Sequence, residues 1–503
     1  MINDQLTEIE NVLFHLNYRW NLEAYSLWKG GKIPFKAYQI YKGYDDFINL
    51  ETMNILDRGP RNHKKLRLKH ALIDHYLQRA LLPHETEMRT WMRGAASHVS
   101  GKKIFFSDII SWCQKESTFE KRKILQRETG PLCKFLKPFA LNYWNILLEI
   151  LSEDLGFHNY LDYCRQKKGI HYKFYYHALK GILHDTDVLY FKAMDRWARD
   201  RFNKSLDTLT RFDAINLLGL GQFDRFFPCK NLESLTSFFK FWSIDIENLT
   251  GLNLELGREE EKSPQAICFI LQIPDEVYVL MKPQGGWIDL ETLWHELGHG
   301  LSAVFTSPEL SVVDREMATS FCLSETYAFL FHNMSFSMPF LMDFLGLKRT
   351  IAEELQYYKA LKDLSLFRRY AAKFLIEYEM FYEGDLHNGE RYSRMMTRYT
   401  GFYYQPESHL FDLIPELYSL EYVLAWMATP ILEGYLKEMF GTDWIFNHGT
   451  GKILKKWWLE GNRYDIFKFL AMNGLGELRH EMLLERWRNV LAPYIKEGQE
   501  KKG

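Results

Sequence analysis

Residues 294 to 300 read WHELGHG. On an α-helix, residues four apart share a face about one turn from each other, so the imidazoles of His295 and His299 can grip one ion. Glu296 then projects beside that ion, placed to take a proton from a water molecule there without being a ligand itself. This is the HExxH arrangement of zinc hydrolases. A motif this short arises by chance in on the order of one chain of this length in a hundred, so its surroundings must decide. Asp289 can cap the start of the helix, and Ile288, Leu290, Leu293, Leu297 and Leu301 give it an apolar side. Gly298 and Gly300 flank the second histidine. Each costs about 1 kcal/mol relative to alanine inside a helix, which points to space being needed close to the ion.

A catalytic zinc normally has three protein ligands and an open position for water. Glu325, in CLSETYAFLFHNM, lies thirty residues after His295, with Ser307-Pro308 available for the intervening turn. Glu316, in DREMATS, competes for the role. Glu325 is preferred because Phe321, Leu323, Phe329 and Leu330 would hold its helix against the motif helix. Glu316 sits beside Asp314 and Arg315 in what reads as a solvated helix start.

The elements that must position these groups are mostly helical. Apolar residues recur with the helical period through Asn142–Leu155, Leu189–Phe202, Leu347–Asp385 and Trp444–Glu460. Two segments break the period. SHVSGKKIFF (Ser97–Phe106) reads as a hairpin turning at Gly101-Lys102, and AICFILQIPDEVYVLMK (Ala266–Lys282) as two strands separated by Ile273–Glu276. The second strand runs through Pro283-Gln284-Gly285-Gly286 into the HELGH helix, an order that resembles the substrate-aligning strand and metal helix of thermolysin-type peptidases and, by that resemblance, implies a peptide lying antiparallel to Val277–Lys282. The expected fold is mainly α: a large helical body around a deep substrate cleft, with a small β-sheet or hairpin next to the motif helix. An N-terminal helical part over residues 1–205, forming lid and cleft wall, would run continuously into a catalytic part over 206–503.

Composition narrows the classes further. The 503 residues are 47% apolar and 25% charged with a formal net charge of -2, so the chain can bury a large core and shows no charge excess for nucleic acid or a membrane surface. The N-terminal MINDQLTEIENVLFHLNYRW is acidic where a secretory signal is basic, and no apolar run approaches the ~18 residues of a membrane span. Cysteines 113, 133, 164, 229, 268 and 322 stand singly with no CxxC, as reduced buried thiols do. A cytoplasmic protein is expected; the oligomeric state is left open.

PDEVYVLMKPQGGWIDLETLWHELGHGLS and LSETYAFLF together resemble the thimet oligopeptidase and oligoendopeptidase F family of zinc peptidases, and HLFDLIPELYSLEYVLA (His409–Ala425) resembles that family's C-terminal stretch. The resemblance covers roughly Asp207 to Met439. It implies one Zn²⁺ per chain held by His295, His299 and Glu325, with Glu296 as general base. His409, Tyr418 and Tyr422 would steady the oxyanion, and the substrates would be short, unstructured peptides. Two positions depart from the family: Ser302 stands where it usually has a histidine, and His332 where it usually has a glutamate. The helical Taq-type metallocarboxypeptidases are a second choice, because Glu325 lies between Ser324 and Thr326 rather than between a histidine and a serine. A catalytically silent peptide-binding member is the alternative of another class.

Overall fold

The computed structural model describes residues 2–29, 37–60, 62–116, 118–227, 237–257 and 266–500. Helix makes up 72% and strand 5%, which is the mainly α class that the periodicity implies. Three of the four periodic stretches fall in helices at Phe119–Glu149, Asp187–Phe202 and Arg349–Glu383, the first running on into a wider turn over Ile150–Asp154. The fourth is split. A 3-10 turn at Trp444–Phe446 ends at Asn447, whose side chain caps the N-terminus of a separate helix, His448–Trp458, by accepting from Gly449. Among the described residues no helix is long and apolar enough to cross a membrane. Cys113, Cys133, Cys164 and Cys322 are buried free thiols and Cys268 is a half-buried one; Cys229 lies outside the described residues.

The chain forms two compact units, each from three separate segments. The first comprises Met1–Leu82, Asp224–Arg349 and Ala425–Arg479, the second Pro83–Phe223, Thr350–Leu424 and His480–Gly503. The 205/206 division expected from the sequence falls inside the second unit's first segment. Contacts between segments far apart in the chain set these units, and periodicity carries no record of such contacts.

In the second unit, β1 (Ala96–Val99) and β2 (Lys102–Phe105) pair antiparallel around Ser100 and Gly101, both at positive φ, one residue ahead of the expected turn. The buried Arg122 guanidinium there meets Asp213 at 2.8 Å, and Asp213 in turn accepts from Thr210 N at 2.9 Å.

The first unit contains α1 (Ile2–Trp28) and a three-stranded sheet of β3 (Leu252–Glu255), β4 (Ile267–Gln272) and β5 (Glu276–Leu280). The sheet order is β3-β5-β4, with β5 parallel to β3 and antiparallel to β4. One face packs on α1: Tyr25 and Trp28 stand against Phe269 at 6.0 and 6.1 Å, and Tyr25 against Tyr278 at 4.6 Å between ring centroids. The central place of β5 corrects the expectation that a peptide lies along Val277–Lys282. Val277 N donates to Gly251 O at 2.8 Å and Met281 N to Glu255 O at 3.0 Å, and β4 occupies the other side, so β5 has no edge to offer. Among the described residues the strand with an open edge on that side is β4.

The chain enters the motif helix, α2 (Trp287–Val304), through Gly285 and Gly286 at φ +87 and +102. A Cβ on Gly286 would lie 2.2 Å from Asp224 Oδ1, so both the conformation and the space require glycine. Asp289 acts otherwise than expected. It sits at the third helical position rather than at the cap and reaches back to accept from Gln284 N at 3.0 Å and Gly285 N at 2.7 Å. It thereby fixes the turn that aims the helix.

Candidate metal centre

α2 lies against α3 (Cys322–Met334), and glycine sets how close they come. A Cβ on Gly298 would meet Ala328 Cα at 2.6 Å and Tyr327 O at 2.8 Å. Gly300 faces the sheet, where a Cβ would lie 3.1 Å from Val279 and 3.3 Å from Leu252. The two glycines therefore make room for a helix and a sheet rather than for an ion, which corrects the sequence expectation. Leu323, Phe329 and Leu330 are buried as expected on α3, and Phe329 stacks on Trp426 at 4.4 Å. Phe321, expected to help hold this helix, is 48% exposed at the cap position, because the helix begins one residue later.

This close packing brings Glu325, in the first turn of α3 and 3% exposed, over the histidines of α2. Its Oε2 stands 3.5 Å from His295 Nε2 and 3.8 Å from His299 Nε2. One ligand atom from each of the three lies within 4.8 Å of the others, the only such group of three or more among the described residues. Donors arranged tetrahedrally about 2.1 Å from an ion stand about 3.4 Å from one another, so small side-chain rotations would bring these three onto one point. The imidazole rings cross at 85° with centroids 5.0 Å apart. Burial pushes His299 down to about 4 and, with help from His299 and His332, holds His295 well below the usual imidazole range. Both are therefore neutral at pH 7, the form with a lone pair to donate. Two imidazole nitrogens and a carboxylate oxygen suit a borderline divalent cation such as Zn²⁺.

Glu316 takes another place. It is half-buried, burial pushes its carboxyl up to about 7, and it accepts from Ile273 N at 2.9 Å, tying down the β4–β5 turn. It is neither in the ligand group nor in a solvated helix start.

Glu296 is half-buried beside the three. Burial first, then the neighbouring Glu325 charge, push its carboxyl up to about 8, against a pull from the Cys268 main-chain N–H that donates to it. That hydrogen bond sets Glu296 at the open edge of β4.

Ser324, which the sequence argument passed over, completes the histidine geometry. Its Oγ lies 2.8 Å from His299 Nδ1. With the ring proton on Nδ1 and donated to Ser324, Nε2 turns its lone pair to Glu325. The only sequence signal was position, directly before Glu325. Ser324→Ala is expected to weaken Zn²⁺ affinity roughly 10- to 100-fold, measured by competition with a chromophoric chelator. An unchanged affinity would remove Ser324 from this role.

Ser302 and His332 each make a contact of their own near the three donors. Ser302 Oγ donates to His299 O at 2.9 Å, within its own helix. His332 Nε2 lies 2.9 Å from Glu291 Oε1, both groups buried, with the His332 ring 6.3 Å from that of His295. A histidine thus pairs with a carboxylate one turn before the first motif histidine.

His409, Tyr418 and Tyr422 belong to the second unit. His409 is 1% exposed, with Nδ1 2.8 Å from Pro406 O and Nε2 3.0 Å from Leu386 O. Both ring nitrogens face main-chain carbonyls, so the ring pins the start of its short helix and keeps no donor for a substrate. Tyr418 and Tyr422 are half-buried one turn apart, rings 5.0 Å from each other, with Tyr370 4.8 Å from Tyr422. Glu416 and Leu417 just before them hold φ of +57 and +54. Lys167 at 2.6 Å and Lys168 at 3.3 Å fix the Glu416 carboxylate there.

No family model matches this sequence, and no curated protein does. What bears on function is the site itself: three convergent donors, a neighbouring carboxylate outside the donor set, and a strand edge beside it.

Proposed function

We propose that the chain is a zinc-dependent peptidase that hydrolyses short, unstructured peptides, in a cytoplasmic setting, with one Zn²⁺ held by His295, His299 and Glu325. The observation that carries this is the approach of Glu325 to both motif histidines while Glu296 stays outside the set, hydrogen-bonded to β4. A zinc ion held there supplies Lewis acidity, acidifying a water molecule and polarising a carbonyl. Glu296 takes a proton from the attacking water as its oxygen bonds to the scissile carbon. It then hands the proton to the amine as the C–N bond breaks. A carboxyl held above the ordinary range suits a group that must both accept and return a proton. The peptide aligns by adding antiparallel to the β4 edge, where main-chain hydrogen bonds hold any sequence in register. Only an extended chain can add in this way, which favours unstructured substrates over folded ones. The reading rests on residues of the first unit alone.

Metal analysis of the purified protein, combined with a quenched-fluorescent peptide assay, tests it. One zinc per chain is expected, with cleavage lost to a chelator and restored by added zinc. Stoichiometric zinc without cleavage of any peptide would indicate a silent peptide-binding protein. Absence of stoichiometric zinc would sink the proposal.

A further inference from the structure

The β4 edge next to Glu296 is short, and what shortens it comes from the far end of the chain. In an antiparallel pair, a residue's N–H and C=O point to the same side and alternate along the strand. Val277 N donates to β3, so Ile270, its partner in the β4–β5 register, turns its polar groups away from β5, as does Cys268 two residues earlier. The outward groups therefore run in order as Cys268 N–H, Cys268 C=O, Ile270 N–H and Ile270 C=O. The first is donated to Glu296. The last accepts from Asn21 Nδ2 of α1 at 3.0 Å. Between these two occupied groups lie one carbonyl and one N–H.

We infer that Asn21 sets the limit on how far a peptide extends along β4, and so on how many residues bind on the N-terminal side of the cleaved bond. This rests on the peptidase reading above. Glu296 marks the reacting end of the edge, beside Cys268. A peptide antiparallel to β4 runs its N-terminal residues from Cys268 towards Ile270. One of its residues donates to Cys268 O, and the residue two positions nearer its N-terminus accepts from Ile270 N–H. The next bond along, from that residue's own N–H to Ile270 O, is the one Asn21 already makes. Further residues gain no main-chain partner and meet the Asn21 side chain instead. α1 is held against the sheet around this contact by Tyr18 donating to Glu276 at 3.1 Å and Tyr25 donating to Glu255 at 2.7 Å, so the helix keeps the asparagine at this edge. The site thus recognises peptides with few residues before the cleaved bond.

The test uses the full-length, zinc-loaded chain and fluorogenic peptides of one core sequence, lengthened one residue at a time at either end. In the unaltered protein, kcat/KM should stop rising, or fall, once the N-terminal side passes about three residues. In Asn21→Ala the ratio of kcat/KM for long over short N-terminal extensions should rise roughly fivefold, the worth of one neutral hydrogen bond. Asn21→Ser, smaller and still polar, should do the same and serves if the alanine variant proves unstable. A general weakening of the fold lowers long and short peptides together and leaves the ratio unmoved. Equal ratios in variant and parent would overturn the inference while the peptidase reading stands, as would an effect confined to C-terminal extensions. No cleavage by the unaltered protein overturns both.

Discussion

Glu296→Gln is expected to retain one zinc per chain and lose peptide cleavage by at least about 10³-fold in kcat/KM. The substitution is nearly isosteric. A glutamine carbonyl oxygen can still accept from Cys268 N–H, so the local hydrogen bond and the fold should survive. What glutamine cannot do is take up a proton at neutral pH. The three ligands are untouched, because Glu296 lies outside the convergent group of His295, His299 and Glu325. Zinc content by atomic spectroscopy and kcat/KM on one fluorogenic peptide measure the two halves separately. Loss of zinc with loss of activity would mean that the residue holds the metal site together instead. Full activity would remove Glu296 from the mechanism.

The second large effect is structural. Gly298→Ala adds a methyl group where Ala328 Cα and Tyr327 O would be 2.6 and 2.8 Å away, and both are backbone atoms that cannot rotate aside. The helices must separate, at a loss of about 3 kcal/mol against the ~1 kcal/mol that alanine's helix propensity returns. Glu325 lies three residues before Ala328 on the same helix, so the displacement carries it away from the histidines. A fall in the denaturation midpoint and weakened zinc binding should appear together. Gly300→Ala is the internal control. Its methyl would meet Val279 Cγ2 at 3.1 Å and Leu252 Cδ1 at 3.3 Å, side-chain ends that can shift by a few tenths of an ångström. Its expected stability change is within about 1 kcal/mol of zero, with the propensity gain offsetting the crowding. A tolerant Gly298→Ala would contradict the packing described for α2 and α3.

Gly298 and Gly300 stand two residues apart yet make room for different elements, a helix and a sheet. Two glycines beside a histidine call for space, and the sequence says so. Whether an ion, a strand or a second helix fills that space depends on which segment arrives there. Asp289 follows the same logic: an acidic residue near a helix start is legible, but its partners, Gln284 N and Gly285 N, depend on how the preceding turn folds back. His409 carries the point further. Its place ahead of two closely spaced tyrosines resembles that of an oxyanion donor, and the folded chain directs both of its nitrogens to main-chain carbonyls.

What the sequence determined by itself is local. The four-residue spacing puts His295 and His299 on one face of a helix with Glu296 beside them, because the helical repeat is a property of the backbone. Two short apolar, β-branched runs separated by Ile273–Glu276 likewise mark β4 and β5 and the turn between them. The apolar company of Glu325 already sets it ahead of Glu316 in the sequence, but the tertiary structure alone decided how near it stands to the histidines, and that β5 is the middle strand and β4 the edge. It alone placed Ser324 behind His299, and brought Asn21 to a carbonyl 249 residues away. Each of these depends on a partner distant in the chain. Periodicity records which way a side chain faces; only packing decides what it faces.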